Sequence, residues 1–230
     1  MTQLKSYLRL SLCLLASIAI LACAPTPDEW ALEKANLQGD QAIRNGYTDN
    51  QTKAVVGLVS LQNGGIGSCS GTLISPNVVL TAQHCVAPTL NQINGGVDCR
   101  RTSFGKAYDP SGLYVTHQVQ LTQNPSDYTA AQEVLVPPDS SFCGNDVALI
   151  VLAEPIDPAD VQFMVPRVDT QIADGEKYYA VGYGATNDSG NGSGLRRRRD
   201  DLFIECVADE CPSYYSRDTE WMGDTGVCQG

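Results

Sequence analysis

Along this chain, apolar and β-branched residues gather in short runs that turn-forming residues cut apart. "AVVGLVSL" (Ala54 to Leu61) is one such run, and "NGG" stops it. "SCSGTLIS" follows, then the turn pair "PN", then "VVLTA"; further along come "LYVTHQVQL", "DVALIVL" and "YYAVGYG". Runs of this length, rich in Val, Leu, Ile and Tyr and bounded by Gly, Pro and Asn, predict strands. No repeat or coiled-coil pattern interrupts them, and low complexity is confined to "SGNGSG". The pattern predicts an all-β barrel or sandwich.

The N-terminal residues follow a different rule. In "MTQLKSYLRLSLCLLASIAILACAPTP", Lys5 and Arg9 precede an apolar stretch from Leu10 to Leu21, and small residues and prolines follow it. The stretch is too short to span a bilayer comfortably and has the layout of an export signal, assigned to residues 1–22. Its end, "ILAC", resembles the lipobox of bacterial lipoproteins, whose cysteine is acylated and becomes the mature N-terminus. That makes Cys23 a lipid anchor and the protein an outer-membrane lipoprotein. Leu21 is bulkier than is usual in that box, so cleavage by ordinary signal peptidase near Ala22 or Ala24, giving a secreted protein, is the alternative. Residues 23–42 read as an anchor segment, polar spacer or pro-segment.

Composition narrows the class. Hydrophobic residues at 43% and charged residues at 18% suit a folded globule, and 230 residues suit a single all-β domain. The net charge of −11 argues against nucleic acid as a partner, because phosphate binding needs a basic surface. "LRRRRDD" is the local exception. Arg196 to Arg199 follow a Gly/Ser/Asn-rich stretch and precede two aspartates, so a solvated loop is expected there. Export permits disulfides. Of nine cysteines, setting aside Cys13 and Cys23 leaves an odd number, which asks for an explanation; a partner beyond Gly230 is one candidate.

The chain has two histidines. His84 lies in "VVLTAQHCVA", where a buried structural histidine is the plain reading. Around it, "CSGTLISPNVVLTAQHC" sets Cys69 and Cys85 at the two ends of a hairpin. A bridge between them would close a short loop, stabilise the fold by about 3 kcal/mol and fix the backbone beside the imidazole. A base must be held in place to be useful. This stretch closely resembles the histidine motif of trypsin-like serine proteases, with Gln83 where alanine is commoner. "CGNDVALIVL" places Asp146 ahead of a buried strand, and resembles the segment that carries the family's orienting aspartate. A buried carboxylate that accepts from one imidazole nitrogen leaves the other free to take a proton from serine, and it stabilises the imidazolium that forms.

The resemblance implies more. "AIRNGY" is similar to the family's activation site, which makes Ile43 the freed N-terminus, although Arg44 is an unusual second residue. "VGYGAT" is similar to the Gly-aromatic-Gly of the second barrel, with Tyr183 where tryptophan is typical. Cys206 and Cys211 are spaced for a short local bridge, and Cys99 with Cys143 could form another. "Cys228-Gln229-Gly230" matches the first three positions of the nucleophile motif "C-x-G-D-S-G-G-P". The expected serine therefore lies two residues after Gly230, whose N–H would serve the oxyanion hole. A rival alignment puts Thr225 of "GDTG" in the serine's place and implies a degenerate enzyme. Gly226, two places before Cys228, would line the base of the specificity pocket and favour apolar over basic side chains.

The implied fold is two packed six-stranded antiparallel barrels over residues 43–230, the second incomplete at its C-terminus. The implied activity is an exported, monomeric serine endopeptidase acting on protein or peptide substrates without a cofactor, the chain as it stands being inert for lack of the nucleophile. No metal site is expected: His117 in "YVTHQV" has no cysteine or histidine at ligand spacing and reads as an ordinary strand residue. A non-catalytic protease homologue serving as a surface binding module is the alternative, because a fold does not by itself establish catalysis.

Overall fold

The computed structural model describes residues 43, 46–62, 65–186, 192–211 and 221–223. In chain order the strands are β1 Tyr47–Thr48, β2 Val55–Gln62, β3 Gly65–Ser75, β4 Val78–Thr81, β5 Thr89–Leu90 and β6 Ser103–Phe104. They continue with β7 Leu113–Thr116, β8 Thr129–Leu135, β9 Ala148–Leu152, β10 Lys177–Gly182, β11 Arg197–Val207 and β12 Trp221–Gly223.

Six strands close into a barrel in the order β2-β3-β4-β9-β8-β7, all pairs antiparallel. Its interior follows from the two-residue period of a strand. Along β9, Ala148, Ile150 and Leu152 are buried while Leu149 and Val151 are less so. Val56 and Leu58 from β2, Leu73 from β3, Val79 from β4 and Leu113 and Val115 from β7 meet them in one core. Gly71 faces that core where no side chain fits: a Cβ there would lie 2.5 Å from Val79 Cγ1 and 2.8 Å from Leu58 Cδ1.

A second, four-stranded sheet runs β1-β11-β10, with β12 also paired to β11. Its long strand contains the arginine run, which is not the solvated loop that its charge predicts. Leu202, Ile204 and Cys206 alternate inward along β11, and the pairing with β10 shifts register between Tyr178 and Ala180 before the arginines. Arg197 and Arg198 then fall opposite Thr48 and Tyr47 on one side, and opposite Gly182 and Val181 on the other. Arg196, just before the strand, is 1% exposed. Its guanidinium fork spreads over fixed acceptors, Nε donating to the carbonyl of Asp49 (3.1 Å) and Nη1 to those of Val55 (3.0 Å) and His117 (3.1 Å). Tyr183 Oη lies 3.3 Å from the same Nη1. Arg198 hydrogen-bonds Asp200 at 2.6 Å, and its guanidinium sits 3.7 Å above the Tyr179 ring. His117 also departs from expectation. It lies just past the end of β7, and its carbonyl serves Arg196.

Candidate active site

The barrel's register brings the site together. β4 and β9 pair so that Thr81 faces Ala148. Continued two residues past the strand ends, that register sets Gln83 opposite Asp146 and His84 next to it. At Ala82 the chain leaves the strand and makes one 3-10 turn, Gln83–Cys85, closed by Cys85 N–H donating to the Ala82 carbonyl at 3.2 Å. The turn points Gln83 inward, at 2% exposure, and His84 outward.

Two disulfides brace the approach to this pair. Cys69–Cys85 joins β3 to the turn beside the imidazole, with its Cα atoms 6.0 Å apart. Cys99–Cys143 joins a loop to the segment that leads into Asp146. There the Phe104 and Phe142 rings stack at 4.8 Å, Gly144 takes a φ of +83°, and Asn145 donates to Ser141 Oγ at 2.9 Å. A third bridge, Cys206–Cys211, closes a short loop at the end of β11. The sulfurs of Cys69 and Cys85 and a ring nitrogen of His84 lie within 4.8 Å of one another, but the disulfide leaves neither sulfur as the thiolate a metal would need.

Asp146 grips His84 with both carboxylate oxygens. Oδ1 accepts the His84 backbone N–H at 2.9 Å, and Oδ2 accepts from the ring Nδ1 at 2.8 Å. An ionised carboxylate can only accept, so the proton sits on Nδ1 and leaves a lone pair on Nε2. The hydrogen bond to Asp146 raises the His84 pKa, burial opposes it, and the Asp146 charge adds to the rise. For Asp146, burial pushes the carboxyl up, but the His84 ring, the backbone N–H groups of His84 and Gln83 and the imidazolium charge together outweigh it, and the net shift is downward. The carboxylate is not sealed in as expected: its side chain is 28% exposed and that of His84, on the 3-10 turn, is 47% exposed.

The imidazole forms one wall of a cleft of about 470 Å³. Other walls come from Ser68 and Cys69 of β3, Tyr108, Tyr183 and Ser193. Tyr183, singled out by the "GYG" stretch, hangs its backbone N–H on Ser70 Oγ at 2.8 Å and its hydroxyl on the Gln118 carbonyl at 2.5 Å, joining the barrel to the second sheet. Tyr108 and Ser193 carried no signal in the sequence, since neither belongs to a motif. Ile43 is 3% exposed and packs beside Gly46 and Gly182, at the second sheet. Cys23, Thr225, Gly226, Cys228 and Gly230 lie outside the described residues.

A rigid imidazole, oriented by a carboxylate at a cleft, is suited to moving a proton to and from a substrate. The family model for trypsin matches residues 43–230. The chain belongs to the trypsin family. This trypsin-family chain is 30% identical over 162 residues to chymotrypsin-like elastase family member 1 of Homo sapiens, an alignment covering 66% of the chain and 53% of that protein. It is 27% identical over 168 residues to brachyurin of Leptuca pugilator, covering 70% and 67% respectively. The chain spans about half the length of the first curated relatives it matches. Among solved structures the fold is similar to that of GrC, with a TM-score of 0.59 at 18% identity over 80% of this chain and 76% of that one. It is also similar to an inactivated protease paralogue of the scabies mite, with a TM-score of 0.54 at 18% identity over 71% and 63%.

Proposed function

We propose that this trypsin-family chain belongs to an exported serine endopeptidase. The observation that carries the reading is the bidentate Asp146–His84 contact, which supports His84 as general base with Nε2 unprotonated. On this reading the nucleophile is a serine two positions after Gly230, by the match of "CQG" to the family's motif. Nε2 takes the serine proton as Oγ attacks the substrate carbonyl, and then gives it to the leaving amine. Water repeats the sequence in reverse on the acyl-enzyme. Asp146 stabilises the imidazolium, and the Gly230 N–H stabilises the oxyanion.

The surrounding assignments belong to the same proposal: an export signal over 1–22, lipidation at Cys23 or cleavage close to it, a protease domain over 43–230, Ile43 as the freed N-terminus, and a pocket base at Gly226 that takes apolar side chains. A serine-directed phosphonate tests the enzyme. Protein extended by its downstream codons should be labelled, and His84→Ala in that protein should abolish labelling. The 230-residue chain should stay unlabelled, and its labelling would overturn the placement of the nucleophile.

One observation favours a second reading. A structural neighbour is an inactivated protease paralogue, so the fold tolerates loss of catalysis. In that case the chain is a binding module, and the extended protein resists the phosphonate.

A further inference from the structure

The two arms that carry His84 and Asp146 are also joined outside the barrel. The 3-10 turn of His84 leads through buried Val86 and Ala87 into β5, and the chain reaches Asp146 through Ser140, Ser141 and Phe142. β6 lies between these two arms. On one edge it pairs with β5, Thr89 facing Phe104 and Leu90 facing Ser103. On the other edge Ser103 bridges Ser141, Phe104 N–H donates to the Ser140 carbonyl at 2.7 Å, and Phe142 N–H donates to the Thr102 carbonyl at 3.1 Å. Gly105 and Tyr108 tie the His84 arm once more, their N–H groups donating to the carbonyls of Pro88 (2.8 Å) and Val86 (2.7 Å).

From Phe142 to Asp146 the chain is a compact turn. Asn145 N–H donates to the Phe142 carbonyl at 3.3 Å, and Val147 N–H to the Asn145 carbonyl at 2.8 Å. A displacement of Phe142 is therefore passed on to Asp146. Strands of two residues hold weakly by themselves. Cys99–Cys143 reinforces this small sheet, joining the loop before β6 to the residue after Phe142, 44 positions along the chain. Cys99 is exposed, whereas Cys69, Cys85, Cys143 and Cys211 are half-buried and Cys206 is buried. An exposed disulfide is the one a thiol attacks first.

We propose that Cys99 and Cys143 are positioning residues for the Asp146–His84 contact, and that their bridge is a clasp which a small thiol opens and an oxidised thiol recloses. One thiolate attacks the Cys99 sulfur, the S–S bond breaks, and Cys143 leaves as a thiolate that takes up the proton the thiol released. A second thiol then displaces Cys99 from the mixed disulfide. The net exchange turns two thiols into one small disulfide and the bridge into two cysteine thiols, a transfer of two electrons. With the clasp open, β6 and the 140–142 segment are free to part, and Asp146 no longer meets the imidazole at a fixed distance. The inference rests on the endopeptidase reading for its effect on catalysis, but not for its effect on His84.

The experiment uses the 230-residue chain. Brief exposure to reduced glutathione, followed by iodoacetamide and mass spectrometry, should find Cys99 and Cys143 alkylated ahead of the other bridged cysteines. In that form the titration midpoint of the His84 C2 proton, told apart from His117 by its absence in His84→Ala, should fall by about 0.5 or more toward the ordinary histidine value. Oxidised glutathione should restore it. Cys99→Ser with Cys143→Ser should show the lowered midpoint without reductant, whereas Cys206→Ser with Cys211→Ser should leave it unchanged. Lower global stability alone does not move a midpoint read from folded protein, so this readout separates positioning from bracing of the fold. An unchanged midpoint with the clasp open, earlier opening of another bridge, or loss of the circular-dichroism spectrum on opening would overturn the proposal. The titration needs no nucleophile: a phosphonate-resistant protein that shows the shift keeps the clasp and loses only the catalytic reading.

Discussion

Asp146 holds His84 at two points, backbone and ring, so that the imidazole can neither swing out nor exchange its tautomer without breaking a charge-assisted hydrogen bond. The β4–β9 register fixes where this contact forms, and two disulfides brace the segments on either side of it.

The His84 C2 proton should titrate above the ordinary histidine value of about 6.5, and Asp146→Asn should bring it down. Proton NMR of the chain against pH checks this. In the protein extended past Gly230, the same substitution should lower kcat by about 10⁴-fold, because the imidazole then favours the wrong tautomer.

The pair also predicts a pH window for stability. The His84 pKa is raised, so its contribution is complete below the unfolded value and is lost as pH rises through the folded one. The Asp146 pKa is lowered, so its contribution is complete above the unfolded value and is lost as pH falls through the folded one. Urea denaturation should therefore find Asp146→Asn more destabilising near pH ~5.5, where both partners are charged, than near pH ~9.

Replacing both Cys69 and Cys85 by serine removes a crosslink between residues 16 apart and should lower stability by about 3 kcal/mol. The denaturation midpoint should fall accordingly.

Within the arginine run, position should decide the effect. Arg196→Met strands the carbonyls of Asp49, Val55 and His117 in the interior and should cost about 3 kcal/mol or more. Arg198→Met, on the sheet surface, should cost about 1 kcal/mol or less. Equal losses at the two sites would contradict the burial of Arg196.

Gln83 should behave in the opposite way. Its Oε1 is buried with no hydrogen-bond partner among the described residues. Gln83→Met keeps the shape and removes the unpaired acceptor, so the midpoint should rise by about 1 kcal/mol in stability.

What the sequence revealed divides along physical lines. β4 and β9 were legible because they are short apolar runs bounded by turn residues, and the dyad was legible because the stretches around His84 and Asp146 resemble the family's histidine and aspartate segments. β8, "TAAQEVL", was not assigned: its alanines and Gln–Glu pair give no alternation, and it is a strand because β7 and β9 flank it. The arginine run misled because charge was read as exposure. A guanidinium can be buried when its fork meets enough carbonyls, and those come from Asp49, Val55 and His117, far away in the chain. Tyr108 and Ser193 reach the cleft through the same kind of long-range placement, which no local pattern encodes.

The arginine run has one more effect, on the protein's own survival. Four consecutive arginines are a standing invitation to any neighbouring enzyme that cuts after basic residues. Such an enzyme must lay its victim out as a lone thread, and β11 offers none, since Arg197 and Arg198 are hemmed in by β1 on one flank and β10 on the other. Digestion at this spot must wait until the sheet comes apart, so resistance to nicking there reports how tightly the whole sheet is held.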